Sequence, residues 1–457
     1  MTTLALDYVY RYLHESVLDR PEGCLRLATF SDAEEAHPYF FRGDLVRPRR
    51  TADLLRGLMR VVQTRFHVPP AMLGRILAMA DPVVTCSDDR VRFEAFSGCC
   101  GVYARIDLLP SAVSGETFGR GTTNVDFNQA MLSALAMVRG TDAVSLCVGA
   151  DELALSRNRS TVVEKKVKLP VRWLKGFVEV QACQGRMQHV LEVPGVEAMR
   201  FLRSLPRMKT GRRETWVAPI GRGLRLSQRE SPGAVRVGGL ERLRVLENLA
   251  PQARTLRVFS DPSTGASAWQ LDFDDCRFHL VISPEVWRGF SGEGQALGAL
   301  ASEEWRQWVP KIRAALKWEA VIDLDQLTAK TGASAEAVRR ALAALGARGL
   351  VGFDLSEGAY FHRELPFDMA LVEKLQPRLA NARKLIAGGK VRAGARTAEE
   401  IEVFVAGSGV EHRVRLLADD ARCTCPWFAK HGTARGPCKH ILAARILLAK
   451  IEETPDE

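Results

Sequence analysis

Four residues near the end of the sequence have the types and spacing of a metal site. Cys423 and Cys425 form a C-x-C pair, and Cys438 and His440 form a C-x-H pair with twelve residues between the two pairs. Two close pairs joined by a loop let one chain wrap a tetrahedral ion, and three thiolates with one imidazole suit zinc. The protein fills all four positions, so none is left for water or substrate, and the expected role is structural. Pro426, Gly432, Gly436 and Pro437 in the loop allow the sharp turns that return the second pair. His431 is a spare ligand that would serve only if the loop folded back. His412 reads as a surface residue of the preceding strand.

The elements that position these ligands lie on either side of them. Ile401–Val405 and His412–Leu417 flank Gly407-Ser408-Gly409, a β-hairpin pattern. His440, Ala444, Leu447 and Ile451 recur at helical spacing, which puts His440 on the first turn of a closing helix. The expected unit is a ββα zinc finger. In that setting the C-x-C-x12-C-x-H pattern resembles the SWIM-type zinc finger at all four ligand positions. Thr123–Asn128 and Lys168–Phe177 resemble segments of the large N-terminal region of bacterial SWIM-finger family proteins. The resemblance implies one structural Zn2+ and a module that binds nucleic acid, protein or both. It also implies an adaptor role beside a MoxR-type AAA+ ATPase and a von Willebrand factor A protein.

Lys430, Arg435 and Lys439 lie on or beside the metal loop, next to Trp427 and Phe428. Basic residues interleaved with aromatics grip a phosphate backbone and stack bases. Lys430, Arg435, Lys439 and Trp427 are therefore candidate nucleic-acid contacts, whereas Phe428 reads as core of the finger.

Residues 311–365 have a winged-helix rhythm. Lys311–Leu316 and Leu324–Thr331 read as two helices. Ser334 and Glu336 open a third, with Val338, Ala341, Leu342 and Leu345 at core spacing. Leu350–Leu355 and Ala359–His362 read as a two-stranded wing. Arg339 and Arg340 would be the contacts of a recognition helix. Against that, Glu336 and Arg340 are an i,i+4 pair, and the wing carries Asp354 and Glu357, which repel phosphate.

The whole chain reads as α+β and multidomain. A helical segment spans 1–75, an α+β body 76–298, a winged-helix-like module with a following helix 299–388, and the zinc finger 389–457. Thr123 or Asn124 is expected to cap a helix through Met131, Leu135 and Val138. Val91–Phe96, Gly101–Leu108, Ala143–Val148, Thr255–Phe259, Ala268–Phe273 and Arg277–Ile282 read as strands.

Of 457 residues, 46% are hydrophobic and 26% charged, which excludes collagen-like and disordered chains. The net charge is +10. Fifteen Lys/Arg against six Asp/Glu fall between Arg186 and Arg257, and six basic residues with no acidic one fall between Ala421 and Lys450. Two basic zones attract an anionic partner such as nucleic acid if their charges cluster in space. No apolar run is long enough to span a membrane and the N-terminus lacks a basic leader, so a cytoplasmic protein without disulfides is expected. No P-loop, G-x-S-x-G elbow, H-E-x-x-H or deaminase pattern is present, so no enzyme is expected; the alternative is an enzyme in the 80–290 region whose site is assembled from residues distant in sequence. Cys276-x-x-His279 sits in strand-like sequence, where positions three apart face opposite ways. Asp272, Asp274 and Asp275 read as a polar strand end.

Overall fold

The structure is a computed structural model. It describes residues 39–64, 82–117, 119–124, 127, 129–149, 151–157, 160–164, 171–207, 214–292, 294–298, 307–365, 376–407, 409–417 and 420–453, with short strands at 18–19, 24–25 and 27–28. The expected α+β organisation, with several separate sheets, is present.

An eight-stranded antiparallel sheet forms the centre. Its order is Gln188–Pro194, Thr255–Ser260, Ser267–Asp272, Cys276–Ile282, Val102–Leu108, Val91–Phe96, Val83–Cys86 and Gly121–Asn124. A second sheet runs Ser160–Glu164, Asp151–Arg157, Val144–Gly149, Tyr39–Leu45 and Val113–Thr117, with Leu27–Ala28 paired to Asp151–Arg157. Helix α1 (Pro48–Gln63) begins with proline, which suits a first turn, and buries Leu54, Leu55, Leu58, Val61 and Val62. It packs on the apolar face of the large sheet, where Val91, Phe93, Ala95, Ala104 and Ile106 are buried. Helices α2 (Gln129–Met137), α3 (Val171–Gln184) and α4 (Gly195–Ser204) complete the body.

One expectation for this region is corrected. Within 1–75, the described residues form the helix Pro48–Gln63 and several strands, and the rest of the helical segment expected there lies outside the described residues. Tyr39–Leu45 is a strand because it pairs with Val144–Gly149 and Val113–Thr117, far along the chain. Thr123 and Asn124 do not cap α2: they end a strand paired with Val83 and Val84, and α2 starts at Gln129. Residues 125, 126, 128 and 168–170 of the two resembling segments lie outside the described residues.

The other face of the large sheet is polar and equally buried. Arg92 and Glu94 alternate with Val91, Phe93 and Ala95, and pair across the ladder with Asp107 and Arg105. His279 lies opposite Arg105, and Gln270 opposite His279. Such alternation ordinarily marks a half-solvated strand. Here residues 351–365 cover the polar side.

That covering segment belongs to a three-helix unit. Its helices are α5 (Val309–Ala315), α6 (Leu324–Thr331) and α7 (Ala335–Gly346), followed by the paired strands Val351–Asp354 and Ala359–His362. The Asp323 carboxylate accepts from the Asp325 and Gln326 amides, and Ser334 Oγ accepts from the Ala337 amide, so both helices are capped by side chains. Ile312, Leu316, Leu327, Val338, Ala341, Leu342 and Leu345 form its core.

The C-terminal part contains α8 (Pro377–Ala387), a four-stranded antiparallel sheet (Val391–Arg396, Glu400–Ala406, Glu411–Leu417, Ala421–Cys423), the short α9 (Pro426–His431) and α10 (Lys439–Glu453). The expected hairpin is there, within a larger sheet than a ββα unit needs. No helix among the described residues is long and apolar enough to cross a membrane.

Candidate metal centre

Each of the four ligands is placed by a different local device. Cys423 ends the last strand of the four-stranded sheet. Cys425 is the N-cap of α9, where its sulfur accepts the Phe428 amide at 3.4 Å. Cys438 precedes α10 and accepts the Ile441 amide at 3.5 Å. His440 lies in the first turn of α10. Helix N-termini present unpaired N–H groups, which favour thiolates over thiols.

The four side chains are buried, and their ligand atoms lie within 4.8 Å of one another. Cys423 Sγ and His440 Nδ1 are 3.7 Å apart. A tetrahedral zinc with bonds of about 2.3 Å to sulfur holds its ligands about 3.8 Å apart, so the arrangement fits the ion. The hydrogen bond with Cys423 holds the Cys438 thiol down to about 4 and pushes Cys423 up, while burial raises Cys425. These residues hold one structural zinc, which supplies a cross-link and no open coordination position. His431 is outside the cluster, its ring 5.1 Å from that of Trp427. His412 is half-buried rather than a plain surface residue, and its ring lies 4.4 Å from the His440 ring and covers it.

Residues 412–446 match the SWIM zinc finger family. The chain carries a SWIM zinc finger. A comparison with curated proteins gives no match. Among solved structures, the chain is similar to a proliferating cellular nuclear antigen from Entamoeba histolytica, at 10% identity and a TM-score of 0.35, over 54% of this chain and 99% of that one. It is also similar to the PCNA2–PCNA3 complex from Sulfolobus tokodaii, at 8% identity and a TM-score of 0.37, over 54% of this chain and 100% of that one.

The SWIM finger is docked on the body rather than hung from it. Leu442, Ala443 and Ile446 of α10 share a core with Leu379 and Ala382 of α8, Val178 of α3, and Ala296 and Leu297. The metal loop lies against residues 292 and 294–298. Arg435 Nη2 donates to Gly292 O at 3.1 Å, and Gln295 Nε2 donates to Ala434 O at 2.9 Å. The Glu179 carboxylate accepts the Gln295 amide at 2.7 Å, which fixes the body side of the contact. Gly436 sits at φ +74°, and a Cβ there would lie 2.0 Å from Gly294 O. Gly436→Ala is therefore expected to lift the metal loop off the body by about 1–3 kcal/mol from backbone strain alone. Zinc content should be unchanged while amide exchange at 294–298 rises; unchanged exchange there would refute the contact.

The candidate nucleic-acid contacts separate into two groups. Lys430 and Lys439 are exposed. Arg435 is tied to the body, and Trp427 is half-buried beneath the Arg378 guanidinium, 4.9 Å from its ring centre. Arg339 and Arg340 are exposed on α7, and Arg340 pairs with Glu336 at 2.6 Å. Asp354 and Glu357 do not face an incoming ligand. Asp354 is buried between Arg92 and Arg105, and Glu357 binds Arg277 and Arg90.

A second group of metal-capable side chains, Asp107, His279 and Asp354, was not legible in the sequence. Its cation positions are already taken by guanidinium groups. Arg105 Nη2 lies 2.9 Å from Asp107, 2.8 Å from Asp354 and 3.0 Å from His279 Nε2. Arg92 reaches Asp354 at 2.5 Å and Asp107 at 3.2 Å. Two buried cations balance two buried carboxylates, so the cluster is an ionic joint between the sheet and the 351–365 segment. Burial and the Arg105 charge lower the His279 pKa, which keeps the ring neutral there. Asp272, Asp274 and Asp275 are likewise held by Arg257, Arg47 and Arg50.

Proposed function

We propose that this is a non-catalytic, nucleic-acid-binding protein in which the zinc finger acts as a structural clamp. The observation that supports this reading is where the excess positive charge lies. The arginines buried between the large sheet and the 351–365 segment are matched by carboxylates: Arg92 and Arg105 by Asp107 and Asp354, and Arg363 by Glu94. By contrast, Arg203, Arg207, Arg222, Arg225 and Arg229 are exposed and make no ion pair among the described residues. Exposed, unpaired cations attract a polyanion and release its counterions on binding.

The test is a titration of the zinc-loaded chain against single-stranded DNA, duplex DNA and RNA at several salt concentrations. About five phosphate contacts correspond to a log–log slope near −4.5, a roughly 500-fold loss of affinity between about 50 and 200 mM salt. Absence of binding at low salt would overturn the reading and leave protein docking, the other role that the finger's resemblance implies.

A further inference from the structure

The unpaired arginines fall on two neighbouring elements, Arg222, Arg225 and Arg229 on a hairpin and its exit and Arg203 and Arg207 at the end of helix α4. Strands Trp216–Ile220 and Gly223–Ser227 pair as a hairpin that turns at Gly221, φ +54°. The third strand, Val235–Arg236, pairs only with Trp216 and Val217. Beyond Val217 the hairpin therefore continues as a two-stranded ribbon. Helix α4 lies alongside, and the two enclose an open groove of about 390 Å³. Arg200 and Ser204 line its helix wall, and Ile220, Arg222 and Leu224 its ribbon wall. Arg203 and Arg207 continue from the helix, and Arg225 and Arg229 from the ribbon, all exposed.

The acidic residues of this face do little to cancel that charge. Glu197, which also lines the groove, is held by Arg200 at 2.6 Å, and Glu214 is held by Arg236 at 2.9 Å. Glu230 and Glu192 are further exposed carboxylates nearby. Ile220 is 56% exposed and Leu226 36%, so apolar surface lies among the cations.

The finger offers less than its sequence suggests. Arg422 pairs with Asp420, Arg435 binds the body, and Arg445 is half-buried, which leaves Lys430 and Lys439 exposed among the basic residues between Arg422 and Arg445. We propose that the α4–ribbon groove, and not the zinc finger, grips the phosphate backbone of nucleic acid; this rests on the nucleic-acid reading above. Guanidinium forks match phosphate oxygens in pairs and shed water more readily than ammonium groups. An open groove between a helix and a ribbon suits a continuous strand, and the exposed isoleucine and leucine supply contact for sugars.

The experiment compares three full-length, zinc-loaded proteins: wild type, Arg222→Glu/Arg225→Glu/Arg229→Glu, and Lys430→Glu/Lys439→Glu. Zinc content and denaturant midpoint establish that each folds, and a milder Arg→Gln triple at the same positions replaces the reversal if it does not. The probes are a fluorescent 20-mer oligothymidylate and a 20-bp duplex; their slopes per phosphate, about 0.7 and 0.9, distinguish single strand from duplex. The hairpin triple is expected to lose at least about 30-fold in affinity and about 2–3 units of salt slope. The finger double should stay within about threefold of wild type. A hairpin triple that binds like wild type overturns this inference and leaves the broader reading standing. Wild type that binds neither probe overturns both. Polyglutamate that competes as well as oligothymidylate would make the groove a docking face for acidic protein and also overturn the assignment.

Discussion

Serine at Cys438 is expected to remove zinc from the chain and detach the finger from the body. Structural zinc contributes about 10–16 kcal/mol of folding free energy in small fingers, and losing one ligand of four is enough to lose most of it. The consequence here reaches beyond the finger. Helix α10 carries one ligand, His440, and also carries Leu442, Ala443 and Ile446 into the core shared with Val178, Ala296 and Leu297. A finger without its cross-link cannot hold that helix in register, so body residues 294–298 lose their cover as well. The body keeps its own core, built on α1 and the eight-stranded sheet. The expected result is less than about a tenth of the wild-type zinc content, with fast amide exchange over 426–446 and 294–298 and slow exchange retained over 91–108. His431→Ala is the matched control and should keep its zinc, because His431 is outside the ligand cluster. Full zinc in the serine variant, or none in wild type after metal-replete expression, would refute the assignment.

The finger was legible because its chemistry is local. Four ligands within eighteen residues announce a site with no knowledge of the rest of the fold. The three helices of 309–346 were legible for the same reason: Ser334, Glu336 and the spacing of Val338, Ala341 and Leu342 act within one or two turns. What failed to show was everything decided at long range. Tyr39–Leu45 is a strand because of partners about a hundred residues away. Arg92 and Arg105 meet Asp354 across separations of 262 and 249 residues. In sequence the wing carboxylates repel phosphate; in the fold they bind the arginines of the sheet. The same holds for Arg435, whose position in a basic loop suggested a phosphate contact while its partner, Gly292 O, is 143 residues away. Charge runs describe composition, and only the fold decides which charges remain free.

That long-range joint carries the second large effect. Asp354→Asn is expected to destabilise the protein by about 3–5 kcal/mol, because removing one member of a buried ionic cluster leaves its partners without compensation. Asp354 accepts from Arg92 at 2.5 Å, from Arg105 at 2.8 Å and from the Ser356 amide at 3.0 Å. In the variant, Asp107 alone would face two guanidinium groups with essentially no exposure to water. The 351–365 segment should loosen first, since Asp354 is one of its anchors on the polar face of the sheet, beside Arg363 on Glu94. Burial works against the Asp354 charge, but Arg105 and Arg92 outweigh it and hold the group down to about 2; Asp107 is also held well below the usual range. Both folded-state values lie below the unfolded value of about 3.9, so their contribution is complete above that pH and is lost as pH falls toward 2. The stability gap between wild type and Asp354→Asn, read from denaturant midpoints, should therefore be constant from pH 7 to about 5 and close below about 4. Adding Arg92→Met to Asp354→Asn should recover part of the loss: it removes one orphaned cation and keeps apolar contact with Phe361, whose ring centre is 3.8 Å from the guanidinium carbon. A single variant as stable as wild type at pH 7, or a gap that does not narrow in acid, would show that the Asp354 charge does not hold the segment.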